Sequence, residues 1–315
     1  MPDATDRDTA PEWGVSQLDL AAYLRRISYD GDLGRGGRPL AALHRAHLAA
    51  IPFENADIML GRSIAVDLPS IQDKLVQQRR GGYCYEHGLL LAAALERLGY
   101  RVDRMLARVG GAQGRRTHLM LRVDDGQQCW LADVGFGTGL LEPVPFDDDS
   151  PRAQSAWTYR LREEGPRSWQ LQEQQGDGWT VCYQFDDLPV NIADITVANH
   201  FNSTYPGSSF TRQLVVIRKD AAGLRLLTSR RLTIAPAGRP GEERFLGDAD
   251  FAAALTDLFG LQFDPAELAR LTAITRPAKT PAVAVALQKG AGPGVAPGQR
   301  PYSEGRGSSP AEGNY

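Results

Sequence analysis

Arg79-Arg80-Gly81-Gly82-Tyr83-Cys84-Tyr85-Glu86-His87 places a cysteine where two glycines end and an apolar helical pattern begins. Tyr85, Leu89, Ala92, Leu95 and Leu98 follow at helical spacing, and Gly99 supplies a stop. The spacing predicts a helix whose first turn carries Cys84. A thiol is a poor nucleophile at neutral pH, and a thiolate is a good one. The unpaired N–H groups and partial positive charge of a helix N-terminus favour the thiolate. His87, three residues on, is one candidate base, although helical geometry tilts it away from the front of the sulfur.

Upstream, the chain from Leu18 to about Gly99 reads as helical. Leu18, Ala21, Tyr23 and Leu24 open one pattern, and Leu40 to Ala50 gives another. Ser70 reads as the N-cap of a further helix, with Asp73 in the capping-box position. Downstream of Tyr100 the period becomes strand-like. Strands are expected at Val102–Val109, Thr117–Val123, Cys129–Val134, Trp157–Leu161, Trp169–Glu173, Trp179–Gln184, Gln213–Arg218 and Leu224–Thr228. Helical character returns at Asp248–Phe259 and Pro265–Leu271.

Asp125-Gly126 is a strong hairpin signal between two of these strands. A loop centred there, whether of two residues or the four from Asp124 to Gln127, makes cross-strand numbers sum to 251 and sets His118 opposite Asp133. Directly opposed residues share a face, with Cβ atoms about 4.5–5.5 Å apart. An aspartate inside the apolar run Leu131-Ala132-Asp133-Val134-Gly135-Phe136 needs a partner. The constellation is then Cys84 as nucleophile, His118 as base and Asp133 as the group that holds the imidazole.

Other features are weaker. Cys129 and Cys182 read as strand core, and His44 and His47 as surface or packing residues; His200, near the Ser203–Phe210 loop, is unassigned. Arg79, Arg80, Arg115 and Arg116 are either phosphate ligands or ordinary solvated or ion-paired charge. Gly135-Phe136-Gly137-Thr138-Gly139 follows a strand, but no clear helix opens after it, so dinucleotide binding is not indicated.

Composition narrows the classes. The 315 residues are 42% hydrophobic with 10 Phe, 10 Tyr and 5 Trp, enough for a sizeable core in two or three lobes. A net charge of −3 gives no basic footprint for nucleic acid. No apolar run reaches the roughly 18 residues that span a bilayer, and Met1 to Gln17 has no signal-peptide core. A cytoplasmic protein without membrane or nucleic-acid partners is expected. Three cysteines without metal-ligand spacing suggest neither a disulfide scaffold nor a bound metal. The near absence of lysine beside arginine hints at a GC-rich bacterial genome. Seven glycines and four prolines in the 26 residues from Gly290 on predict a disordered tail.

The residues resemble the arylamine N-acetyltransferase family. Arg80-Gly81-Gly82-Tyr83-Cys84 is similar to its cysteine motif, and Thr117-His118 with Leu119-Met120-Leu121 to its histidine strand. Asp133-Val134-Gly135-Phe136-Gly137 is similar to its aspartate motif, and Pro52-Phe53-Glu54-Asn55 to an upstream hallmark. Ser203-Thr204-Tyr205-Pro206-Gly207-Ser208-Ser209-Phe210 resembles the loop that opens its third domain.

The resemblance spans Leu18 to about Ala286 and implies an α+β fold with a cysteine-protease-like Cys-His-Asp core. After a polar extension (1–17), the expected parts are a helical bundle with the nucleophile (18–100), a β-barrel with His118 and Asp133 (101–205), and an α/β lid (206–289), before the tail (290–315). It implies ping-pong transfer from acetyl-coenzyme A, a co-substrate, through a Cys84 thioester to an arylamine or hydrazine. Phe136, Phe53 and Phe210 match positions lining the acceptor slot, and Thr117, Gly137 and Ser208 positions approaching the coenzyme. Gly88 departs from the pattern: many members carry a polar residue there, and a glycine so early should loosen the helix. Glycines also stand before His118 where relatives often have prolines, and the N-terminal extension is longer than in many bacterial relatives.

Other readings stay open: an amide synthase of the same fold that takes a polyketide chain from a carrier protein and closes a macrolactam, a protease or transglutaminase-like hydrolase, and a non-catalytic binder.

Overall fold

The computed structural model describes residues 11–146 and 149–276, so the tail expected to be disordered lies outside the described residues. Two short helical turns lead into α1 (Leu20–Arg26) and α2 (Gly37–Ala50). Within the stretch read as a polar extension, Val15 is buried and Trp13 lies beneath the Arg104 guanidinium at 4.3 Å. After α2 come β1 (Phe53–Glu54), α3 (Ala56–Met59), α4 (Leu68–Gln72) and α5 (Cys84–Arg97).

The cap of α4 corrects the sequence expectation. Asp67, not Ser70, is the N-cap, and its carboxylate accepts the Ser70 N–H at 2.9 Å. Pro69 decides this: it lacks an N–H and has a helix-compatible φ, so it belongs in the first turn. The helix then widens into a π turn at Asp73–Gln77.

An antiparallel sheet follows, built from β2 (Arg101–Val109), β3 (Arg116–Asp124), β4 (Cys129–Ala132), β5 (Val144–Pro145), β6 (Arg152–Gln154), β7 (Trp157–Gly165), β8 (Ser168–Gln175) and β9 (Gly178–Asp186). Its order is β5-β4-β3-β2-β9-β8-β7-β6, and β5 also packs against β7, so the sheet curls into a nearly closed barrel. Met105, Met120, Leu131, Tyr159, Leu171 and Tyr183 fill its interior. Then come α6 (Ile192–Thr204) and α7 (Ser209–Arg212).

The second sheet contains β10 (Val215–Asp220), β11 (Gly223–Thr228), β12 (Arg231–Pro236) and β13 (Glu242–Phe245), with β1 paired to β10 at its edge. The stretch read as helical thus lends a strand to the last part of the chain. Val216 and Leu227 pack with Phe251 of α8 (Asp248–Ala253) and Leu271 of α9 (Pro265–Ile274).

α5 is buried from Cys84 to Leu95, so it is a core helix rather than an amphipathic surface one. A Cβ on Gly88 would meet Leu119 Cδ2 at 2.9 Å. That glycine therefore lets β3 approach the helix closely, which corrects the expectation of a loosened helix.

His44 and His47 are not surface residues. Both are fully buried, as is His87. The Tyr23 hydroxyl bonds His47 Nδ1 at 2.9 Å, His47 Nε2 bonds His87 Nδ1 at 2.9 Å, and His87 Nε2 bonds the Pro52 carbonyl at 3.2 Å. A carbonyl only accepts, so every donor in this chain points toward Pro52. Burial pushes His44 and His87 from the usual imidazole range down to about 4, and His47 well down too. Their folded-state values are depressed, so as pH falls below about 6.5 the unfolded chain takes up protons first. Stability should decline from about pH 6.5 to about pH 4, by about 3 kcal/mol for each of His44 and His87. Urea midpoints at pH 7, 5.5 and 4.5 check this, and a flat series would contradict it.

Candidate functional site

The turn before Cys84 is tied down by buried charge. Glu86 accepts the Tyr83 N–H at 3.0 Å, the carboxylate half of a capping box. Lys74 bridges Glu86 at 2.8 Å and Asp57 at 2.7 Å, while Arg80 donates to Glu54 at 2.8 Å. Burial opposes ionisation of Asp57, but Lys74 and Arg80 outweigh it and hold the carboxyl at about 2. Arg80 is therefore a structural ion pair. Gly81 is needed because a Cβ there would lie 2.2 Å from the Pro52 carbonyl oxygen.

β3 carries a bulge beside the cysteine. Ala107 pairs with His118 and Arg108 with Arg116, which leaves Thr117 unpaired in the ladder. The Thr117 carbonyl instead accepts from the Tyr85 hydroxyl at 2.6 Å and from Asn202 Nδ2 at 2.9 Å. The Cys84 sulfur also approaches this carbonyl, at 3.9 Å.

The hairpin register differs from expectation. Asp124 pairs with Cys129 and Leu121 with Ala132, so partners sum to 253 rather than 251. The loop runs from Asp125 to Gln128 because Asp125 Oδ1 accepts the N–H groups of Gln127 (2.8 Å) and Gln128 (2.9 Å). A slip of two keeps every side chain on its face; a slip of one would have reversed them. Asp133, just past β4, becomes a diagonal neighbour of His118, and the two side chains close the gap. His118 Nε2 lies 2.7 Å from Asp133 Oδ2. Asp133 Oδ1 accepts the Gly135 N–H at 2.9 Å.

His118 and Asp133 are both buried. Burial opposes charge on the His118 ring, but Asp133 and a hydrogen bond to Cys84 raise it to about 10. Asp133 is held below the usual carboxylate range: burial opposes this, and His118 and the Gly135 N–H prevail. With Nε2 given to Asp133, Nδ1 is the ring nitrogen left for the sulfur. A Cβ on Gly135 would come within 2.7 Å of Cys84 Cα, so a glycine is required where the aspartate loop crosses the start of α5.

Cys84 and His118 open onto a cavity of about 500 Å3. Phe53, Phe136, Phe210, Thr117 and Ser208 also line it. Asp133 stands behind His118 and is not part of the lining; Gly137, at φ +81°, sits against Phe53 and Ile217. Phe136 contacts the His118 ring at 5.2 Å, and Phe210 contacts Phe53 at 5.9 Å. Arg115 and Arg212 reach the cavity, and neither is ion-paired among the described residues. The Arg115 guanidinium lies over Phe201 at 4.9 Å. A separate cavity of about 340 Å3, lined by Trp13, Leu68, Leu89 and Arg104, contains none of these groups.

Four contributors escaped the sequence reading. Tyr85 and Asn202 hold the Thr117 carbonyl, Tyr183 packs against His118 at 5.1 Å, and His44 accepts the Asp133 N–H at 3.1 Å. Only Tyr85 had a local signal, its place beside Cys84. No group of three His, Cys, Asp or Glu placed to hold a metal occurs among the described residues. No helix among them is long and apolar enough to cross a membrane.

A family model described as N-acetyltransferase matches residues 38–268, which makes the chain an acetyltransferase of this α+β fold. The Escherichia coli K12 arylamine N-acetyltransferase is 35% identical over 255 residues, 79% of this chain and 90% of that protein. The Mycolicibacterium smegmatis enzyme is 34% identical, over 78% of this chain and 92% of its own. The solved Mycobacterium abscessus arylamine N-acetyltransferase superposes with a TM-score of 0.79 at 34% identity, over 84% of this chain and 98% of its own. The Mycobacterium marinum enzyme in complex with CoA gives 0.76 at 34% identity, over 82% of this chain and 98% of its own. The chain belongs to the arylamine N-acetyltransferase family.

Proposed function

We propose that the protein moves an acetyl group from acetyl-coenzyme A to the nitrogen of an arylamine or hydrazine, in two half-reactions through Cys84. The observation that carries this reading is the buried Asp133–His118 pair, with His118 and Cys84 lining one aromatic-walled cavity. Asp133 favours charge on the ring, which equips the imidazole to take the thiol proton as the sulfur attacks. The sulfur attacks the thioester carbonyl, the carbon–sulfur bond to the coenzyme breaks, and His118 protonates the departing thiolate. Cys84 then carries the acetyl group as a thioester. The amine nitrogen attacks that carbonyl, His118 takes the amine proton, and the cysteine sulfur leaves. The neighbouring M. marinum structure contains CoA, which supports the donor.

Phe53, Phe136 and Phe210 form a slot suited to a flat aromatic amine. Thr117 and Ser208 line the cavity, on the side we assign to the coenzyme, where Arg115 and Arg212 offer charge for its phosphates; Gly137, expected there too, is not part of the lining.

The test separates the half-reactions. Acetyl-coenzyme A without amine should load one acetyl group on Cys84 and release the coenzyme, and a later aniline should remove that group as acetanilide. Failure to load from acetyl-coenzyme A, with loading from an acyl carrier protein instead, would favour an amide synthase.

A further inference from the structure

We propose that His44 is a positioning residue for the site: it fixes the backbone of the loop that carries Asp133, and so the reactivity of Cys84. This rests on the proposed role of Cys84 as nucleophile.

His44 lies on α2, far in sequence from Asp133 and His118, and is fully buried. Its Nδ1 lies 2.9 Å from the Leu141 carbonyl, and its Nε2 accepts the Asp133 N–H at 3.1 Å. A carbonyl only accepts and a backbone N–H only donates, so a single tautomer serves both, with the proton on Nδ1. Burial lowers the ring from the usual imidazole range to about 4 against the pull of the Leu141 carbonyl and Asp133, so it is neutral and keeps the Nε2 lone pair.

The two bonds grip both ends of the loop from Asp133 to Leu141. Between them lie Gly135, which touches the backbone of Cys84, and Phe136, which packs on the His118 ring. The Leu141 end is also held by Gln154, whose Oε1 accepts the Leu141 N–H at 2.7 Å. The Asp133 N–H has His44 as its partner. Both oxygens of the Asp133 carboxylate are already committed, to His118 and to Gly135. A rotation of the Asp133 backbone would therefore move the carboxylate off the His118 ring. The two ends of the loop differ in redundancy, and that difference supplies the test.

A glutamine amide reaches the place of Nε2, and an asparagine amide the place of Nδ1. His44→Gln keeps an acceptor for the Asp133 N–H and gives up the Leu141 bond. His44→Asn does the reverse. Alkylation of Cys84 by iodoacetamide at pH 6, read by mass spectrometry, should fall about tenfold or more in His44→Asn and stay within about threefold of wild type in His44→Gln. The pH profile of His44→Asn should also move upward. A purely structural histidine predicts equal losses that follow thermal stability; equal losses, or none in either variant, overturn the inference. Wild-type Cys84 no more reactive than glutathione would instead sink the nucleophile reading, and this inference with it. Should either variant fail to fold, 15N NMR of histidine-labelled wild type decides: a His44 ring protonated on Nε2, or on both nitrogens, at pH 7 overturns the proposal.

Discussion

Cys84→Ala is expected to abolish acetyl transfer, with kcat lower by about 10,000-fold or more. The change removes one sulfur from the start of α5 and leaves the charge network of Arg80, Glu54, Lys74 and Glu86 intact, so the fold should persist. Without the sulfur there is no acceptor for the acetyl group in the first half-reaction. His118 remains able to deprotonate an amine, so a trace of direct transfer from donor to acceptor is the expected residue. That trace should require both substrates at once, whereas the wild type is expected to release coenzyme without any amine. Mass spectrometry after mixing with acetyl-coenzyme A should find no acetylated cysteine. Turnover within about tenfold of wild type would end the account of Cys84 as nucleophile.

Asp133→Asn should lower kcat/KM by about 1,000- to 10,000-fold in a protein that remains folded. Asp133 Oδ1 accepts the Gly135 N–H, and in the variant the amide oxygen stays with that donor. The amide nitrogen then faces His118 Nε2, where the carboxylate oxygen had been. Two N–H groups cannot bond each other, so Nε2 must become the acceptor and the ring proton moves to Nδ1. That nitrogen faces the sulfur, and a protonated Nδ1 cannot take the thiol proton. The anion that raised the ring to about 10 is lost as well. Iodoacetamide labelling of Cys84 should therefore need higher pH, toward the range of an ordinary thiol near 8.5. Labelling of the variant at pH 6 as fast as wild type would contradict the role given to Asp133.

The start of α5 was legible because its signals are local: paired glycines followed by apolar residues at helical spacing. Six of the eight barrel strands were legible from their alternation and from Asp125-Gly126; β5 and β6, two and three residues long, are too short to show a period. α6 was not, and its composition explains why. Ile192, Ile195, Thr196 and Val197 are β-branched, the buried face carries Asn199 and Asn202, and Val197 is 71% exposed. Hydrophobic patterning therefore points the wrong way along this helix. Asn199 donates to the Ile64 carbonyl at 2.9 Å and Asn202 to the Thr117 carbonyl, partners that come from distant parts of the chain. β13 escaped notice because all four of its residues are exposed, so it has no alternation to read.

The chain's own order of residues settled where the helix carrying Cys84 begins, which strands form the hairpin, and that His118 and Asp133 share a face, since all three depend on local pattern and turn chemistry. Folding in three dimensions settled the rest: the two-step slip that makes His118 and Asp133 diagonal, the approach of α5 to β3 through Gly88, and the recruitment of His44, Asn202 and Tyr183. Those contacts join segments tens of residues apart, and whether a buried polar group finds its partner across such distances depends on packing that no local pattern encodes.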